Sequence, residues 1–172
     1  MKRLVLAAAM ATLAFGASAQ QQGNPRDVVP DKMPNDIPYG APISLDRAQA
    51  AINAAIAESK KRGWKLNVAV LDSGANLVAF ARMDGAQLGS VQIAEHKARA
   101  AVKYRRETKA FESGVQEGNL HYLLTLDDVI ASRGGIPIVE NGQMVGAVGC
   151  SGGTGSQDEV ICKAGVDALM KR

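Results

Sequence analysis

Few side chains in this sequence carry obvious chemistry, and each has an ordinary structural alternative. The stretch GAVGCSGGTGSQDE, Gly146 to Glu159, puts five glycines just ahead of a charged run. Such a segment either cradles a phosphate on backbone N–H groups or turns tightly into a helix cap. A phosphate loop of the G-x-x-x-x-G-K-[ST] type needs its lysine, and neither Lys nor Arg stands between Gly146 and Glu159. A dinucleotide turn needs a βαβ unit, whereas the strand ahead of this loop is the second arm of a hairpin turned at Asn141-Gly142. Ser156-Gln157-Asp158-Glu159 reads as an S-x-x-E capping box, and its two carboxylates suit a helix N-terminus but repel a phosphate. A structural turn is therefore expected. A ligand-facing role stays open because Gly152-Gly153 let backbone approach a bound group, with Ser151, Thr154 and Gln157 as donors.

Lys97 is the second candidate. On a helical wheel of residues 91–104, Gln92, Glu95, His96, Arg99 and Lys103 share a polar face, and Lys97 falls between Ile93 and Ala101 on the apolar side. An unpaired ammonium there is costly, so Lys97 either snorkels, forms a salt bridge, or neutralises a ligand carboxylate such as a haem propionate or a small acid. Arg82 and Asp84 stand at a strand end before Gly85, where they either bridge each other or meet a ligand. Asp72 is expected to close an Asx turn. His96 and His121 have no second His or Cys at ligand spacing, so each is at most a single axial ligand to haem iron. There is no serine visibly set with a histidine and an acid, and no carboxylate pair at catalytic spacing, so the chain offers no catalytic constellation.

The elements that must position these groups follow from caps and periodicity. Ser44, the repeat Leu45, Ala48, Ile52, Ala55, Ile56, the terminal Lys60, Lys61, Arg62 and Gly63 predict a helix over 44–62. LNVAVLD (66–72) and LVAFARM (77–83) are apolar runs joined by a turn, a hairpin. Helices are expected at 88–104 and 108–119, a second hairpin about Asn141-Gly142, and a last helix over 157–171. Residues 120–132 are ambiguous and leave room for a fifth strand. Hairpins and helices in this order predict an antiparallel sheet with helices packed on it, an α+β domain.

The chain has 172 residues. MKRLVLAAAMATLAFGASA, residues 1–19, has a basic start, a short apolar run and an A-x-A pattern, the features of a signal peptide cleaved after Ala19, and so predicts a periplasmic or secreted protein. The apolar run is below the ~20 residues a membrane span needs. Without Lys2 and Arg3, 18 of the 20 basic residues remain against 17 acidic ones, a net charge of +1, which gives no basic field for nucleic acid. Residues 20–43 carry five of the six prolines and predict an extended arm, either a flexible tail or a segment packed on a neighbouring subunit. Residues 44–172 form the domain. Cys150 and Cys162, twelve apart, either bridge in an oxidising compartment or pack as small apolar side chains.

VAVLDSGANLVAFARMDGA (68–86), IAEHKARAAV (93–102) and RGGIPIVENGQMVGAVGCSGGTGSQDEVICKAG (133–165), in this order, resemble the GlcG/HbpS family over nearly all of residues 44–170. Asn76 and Val78 fit that pattern loosely, and Cys150 replaces a usual aliphatic residue. The resemblance implies a profilin-like α/β/α sandwich around a five-stranded antiparallel sheet, homo-oligomers, and in several relatives haem binding. It also carries over a pocket-side set: Arg82, Met83, Asp84, Lys97, Gly134, Gly135, Pro137, Gly152 and Gly153. The expected function is that of a small-ligand-binding protein for haem or a related tetrapyrrole, with His96, His121 or Met144 as iron ligand. The alternative is an enzyme or accessory subunit for a small hydroxy- or keto-carboxylic acid, with Lys97 and Arg82 clamping the carboxylate and Asp72 or Asp84 as base.

Overall fold

The computed structural model describes residues 29–170. The expected signal peptide, residues 1–19, and the start of the proline-rich arm lie outside the described residues. Residues up to Met33 belong to one unit, of which 29–33 are described and exposed, and Pro34–Arg172 form a second.

Helix α1, Leu45–Arg62, starts where the sequence says it must. The Ser44 hydroxyl accepts from the Arg47 N–H, and Gly63 ends the helix in the left-handed region at φ 70°, its N–H donating to Lys60 O at 3.1 Å while Trp64 N donates to Ser59 O at 2.9 Å. Its buried stripe of Ala48, Ala51, Ile52 and Ala55 faces the sheet. Strands β1, Asn67–Asp72, and β2, Leu77–Arg82, follow as a hairpin. The Asp72 carboxylate accepts from Gly74 N at 2.8 Å and Asn76 N at 2.9 Å, the expected Asx turn. Helix α2, Ser90–Lys103, and helix α3, Lys109–Gln116, precede strands β3, Gly135–Glu140, and β4, Gln143–Ser151. Asn141 and Gly142 both take positive φ, 49° and 77°, as a type I′ turn requires. Helix α4, Gly155–Met170, closes the fold.

The four described strands form one antiparallel sheet in the order β2-β1-β4-β3. Residues alternate between its faces. Val68, Val70, Ile136, Ile138, Val148 and Cys150 pack with α1 and α4, and Ala69, Leu71 and Ala147 pack with Ala94, Ala98, Ala101 and Val102 of α2. Helices thus cover both faces. Alanine and glycine set how closely α2 approaches: a Cβ at Gly149 would sit 2.0 Å from Ala94 O, and one at Gly135 2.2 Å from Lys97 O.

Three expectations change. The sheet has four strands among the described residues, not five. The ambiguous stretch becomes a 3-10 turn, His121–Thr125, because Leu123 folds inward onto Ala100 and Phe111 while Asn119 and Asp128, both at positive φ, break any extended run around it. The extra pairing comes instead from the arm. Pro38 O accepts from Met144 N at 2.8 Å, Gly40 N donates to Met144 O at 2.8 Å, and Ile43 N donates to Val145 O at 2.9 Å. The Tyr39 hydroxyl lies 3.0 Å from both Val102 O and Lys103 O, so it ties the arm to carbonyls in the last turn of α2. The capping box also sits two residues earlier than expected. Thr154 Oγ1 accepts from Gln157 N at 3.3 Å and Gln157 Oε1 accepts from Thr154 N at 2.8 Å, a T-x-x-Q box in place of Ser156 and Glu159.

Candidate functional site

Most of the residues singled out from the sequence fall into two places. The first is an open cleft of about 470 Å³ at the C-terminal end of α1 and the end of β2, lined by Ile56, Lys60, Gly63, Trp64, Lys65, Arg82, Met83 and Asp84. Gly63 turns the chain out of α1 so that Trp64 and Lys65 lead into β1, and Met83 N donates to Leu66 O at 3.1 Å, which holds the end of β2 against that strand. Gly85, at φ 76°, leaves room for Lys65, whose Nζ would lie 3.0 Å from a Cβ there. Gly152, at φ 154°, lets the glycine-rich loop rest on the same segment, since a Cβ would meet Lys65 O at 2.4 Å.

The electrostatics of this surface are uneven. Lys61 and Arg62 are both answered by Glu58, at 3.8 Å and 2.5 Å. The hydrogen bond from Arg62, helped by the charges of Arg62 and Lys61, outweighs burial and holds the Glu58 carboxyl below its ordinary range. The lining cations Lys60, Lys65 and Arg82 have no ion pair among the described residues, and Arg82 and Asp84 do not bridge each other. Three cations against one carboxylate, beside an indole, form a surface suited to a flat, acidic guest.

The second place is interior. Lys97, 1% exposed, donates from Nζ to Asp158 Oδ2 at 2.7 Å, so its anion comes from α4 of the same chain, as the salt-bridged alternative expects. Asp158 Oδ1 also accepts from Gly153 N at 3.0 Å, tying the glycine-rich loop to the pair. Gly134, at φ 117°, sits against both partners: a Cβ there would meet Asp158 Cβ at 2.7 Å and Lys97 Nζ at 3.2 Å. Gly135 N donates to Thr108 Oγ1 at 2.9 Å. These glycines serve close packing around the ion pair, and Pro137 stands within β3.

A salt-bridge cluster flanks that pair. Arg133 donates through its backbone N to Glu112 Oε2 and through Nε to Oε1, both at 2.7 Å, and Nη1 stands 3.6 Å from Glu159. Glu159 also accepts from Lys163 at 2.6 Å. Burial alone would push both glutamates up. Hydrogen bonds and charge from Arg133 at Glu112, and from Lys163, Lys109 and Arg133 at Glu159, outweigh burial and leave each carboxyl below its ordinary value. The Arg133 guanidinium and Lys163 ammonium rise correspondingly, chiefly through their hydrogen bonds to Glu112 and Glu159. The cluster fastens α3, α4 and the start of β3 together.

Neither histidine joins a site. His96 is exposed on the polar face of α2, and His121 is exposed at the start of the 3-10 turn. Met144 is fully buried in β4. None of the three lines the cleft, and no group of three or more potential metal ligands occurs among the described residues. Cys150 and Cys162 form a disulfide with a Cα separation of 5.6 Å, joining the end of β4 to α4.

The sequence reading missed Lys60, Trp64 and Lys65 in the cleft and Asp158 in the interior. Both had signals. Trp64 is the sole tryptophan and sits within Lys60-Lys61-Arg62-Gly63-Trp64-Lys65, a basic run read only as helix-end charge. Asp158 heads the buried stripe Asp158, Ile161, Cys162, Gly165, Val166, at helical spacing, which marks it as an inward carboxylate.

The chain is similar to known proteins along most of its length. The family described as haem degrading protein HbpS-like matches residues 43–167. Protein GlcG of Escherichia coli K12 is 40% identical over 109 residues, which cover 63% of this chain and 81% of GlcG. The crystal structure of Klebsiella pneumoniae protein ORFY superposes with a TM-score of 0.74 at 30% identity, covering 82% of this chain and 99% of ORFY. A PduOC haem complex superposes with a TM-score of 0.68 at 24% identity, over 74% of this chain and 95% of that one, a likeness of fold. With the family match extending from Ile43, beside the α1 cap, to Asp167 in α4, the chain belongs to the HbpS-like family.

Proposed function

We propose that this protein binds haem or a related tetrapyrrole in the cleft between the end of α1 and the end of β2, and that it does so outside the cytoplasm as a homo-oligomer. The observation that carries the reading is the cleft itself: Arg82, Met83 and Asp84, the segment the family resemblance singles out, meet Trp64 there together with Lys60 and Lys65, which have no ion pair among the described residues. The haem in the family's description and in the PduOC complex supports the choice of guest. The first nineteen residues support the location.

The lining fits such a guest in part. Ile56, Trp64 and Met83 offer apolar surface to a planar ring, and Lys60, Lys65 and Arg82 offer charge to its carboxylates. A bound haem would supply redox-active iron and a strong visible absorption band. The chain's own groups bind and orient the guest. The interior Lys97–Asp158 pair keeps α2, α4 and the glycine-rich loop in register, and so holds Gly152 against the Lys65 backbone.

Titration of the purified protein with hemin tests this. A saturable shift of the Soret band is expected, weakened about tenfold or more in Lys65→Glu and Arg82→Glu. No shift at micromolar hemin, with a thermal response to short hydroxy- or keto-acids instead, would transfer the cleft to a small-acid function.

A further inference from the structure

We infer that the cleft selects its guest by two carboxylates and a flat apolar face rather than by iron, so that a metal-free porphyrin occupies it as well as haem does. This inference rests on the haem reading above. Its first support is the donor set. Protein haem iron is ordinarily held by His, Cys, Met or Tyr, and of these only Met83 lines the cleft. A thioether is a soft, weak ligand, and without a histidine on the other side it contributes little to holding ferric iron. The histidines stand elsewhere. His96 is on the solvent side of α2, which packs on the sheet face opposite α1, and His121 belongs to the turn whose Leu123 packs with Ala100 of the same helix.

Charge is the second support. Around the end of α1 the chain pairs some cations and leaves others. Lys61 and Arg62 share Glu58, while Lys60, Lys65 and Arg82 meet no acidic partner among the described residues. Set against Asp84, these three leave a surplus of two positive charges on the lining, equal and opposite to the two propionates of a protoporphyrin. Each exposed pair contributes little by itself, because water screens it. Their combined effect is to orient a ring whose binding comes mainly from apolar area against Ile56, Trp64 and Met83.

Three ligands separate the contributions: hemin, protoporphyrin IX, and protoporphyrin IX dimethyl ester, in which both carboxylates are blocked. Trp64 is the only tryptophan and lines the cleft, so quenching of intrinsic fluorescence reports occupancy locally, alongside the absorption titration. Hemin and protoporphyrin IX are expected to bind with Kd values within about threefold of each other, and the ester at least about tenfold more weakly. The double variant Lys65→Gln/Arg82→Gln, both side chains being exposed, should keep its melting temperature. It should weaken both free acids equally and leave the ester unchanged. Hemin binding more than about thirtyfold tighter than protoporphyrin IX would overturn the inference and point to an iron ligand outside the lining, with the haem reading intact. Equal binding of ester and acid, or an unaffected double variant, would also overturn it. Binding of none of the three would remove the haem reading along with it.

Discussion

Replacing Asp158 by asparagine tests the interior directly. The substitution keeps the side chain's shape, and the amide oxygen it leaves in place of Oδ1 still accepts from Gly153 N. What it removes is the negative charge 2.7 Å from Lys97 Nζ. Lys97 and Asp158 have side-chain exposures of 1% and 3%, so water cannot replace the lost partner. Stripping one member from a buried pair costs about 3–5 kcal/mol, because the other charge is left uncompensated. A domain of this size holds roughly 5–15 kcal/mol in all, so the variant should lose about a fifth of its stability or more. With a urea m value of about 2 kcal/mol/M, the midpoint should fall by about 2 M. Trp64 fluorescence and far-UV circular dichroism would follow the transition. Neutralising Lys97 as well, in Lys97→Met/Asp158→Asn, should recover all but about 1–2 kcal/mol, since apolar replacement of a whole buried pair is often nearly neutral. A loss under about 1 kcal/mol in the single variant, or additive losses in the double, would refute the view that an uncompensated interior charge governs this junction.

Other consequences are sharper for being local. Gly149→Ala should lift α2 from β4, because its Cβ would sit 2.0 Å from Ala94 O. A drop in melting temperature equivalent to about 3 kcal/mol or more is expected, and a near-silent variant would mean the helix has room to move. Removing the disulfide with Cys150→Ala/Cys162→Ala releases a loop of sequence separation 12, for which chain entropy predicts a loss of about 3 kcal/mol in urea unfolding. Glu112 and Glu159 have folded-state values below the ordinary 4.5, so the folded state binds fewer protons than the unfolded chain just below that pH. Their stabilisation is present above about pH 5 and lost as pH falls through the lowered values. The urea midpoint should therefore decline on acidification, and Arg133→Met should flatten that decline.

Much of the framework was legible because it depends on near neighbours in the chain. Ser44 and Gly63 bound α1, Asp72 closes its turn, and Asn141-Gly142 turns the second hairpin through contacts spanning a few residues. The polar face of α2 and the inward position of Lys97 followed from helical periodicity alone. The capping box was legible but misplaced: S-x-x-E and T-x-x-Q overlap in the same six residues, and local rules do not choose between them. The choice falls on Thr154 because Asp158 and Glu159 are drawn inward to Lys97 and to Arg133 and Lys163, which leaves Glu159 unable to reach back to Ser156.

The sequence by itself determined the helices, the two hairpins, the α+β class and the fact that Lys97 needs an anion. Only the tertiary structure decided which anion. Asp158 is 61 residues from Lys97 along the chain, and their meeting depends on α2 and α4 packing on opposite faces of the sheet with Gly134 leaving space at the junction. The cleft is likewise a product of the fold: Trp64 and Lys65 follow α1 and Arg82 to Asp84 end β2, and the antiparallel register of Asn67 with Arg82 brings the two segments together. Local propensity fixes where an element begins and ends. Which side chains become neighbours across the sheet depends on burying apolar faces and satisfying buried charge throughout the molecule at once.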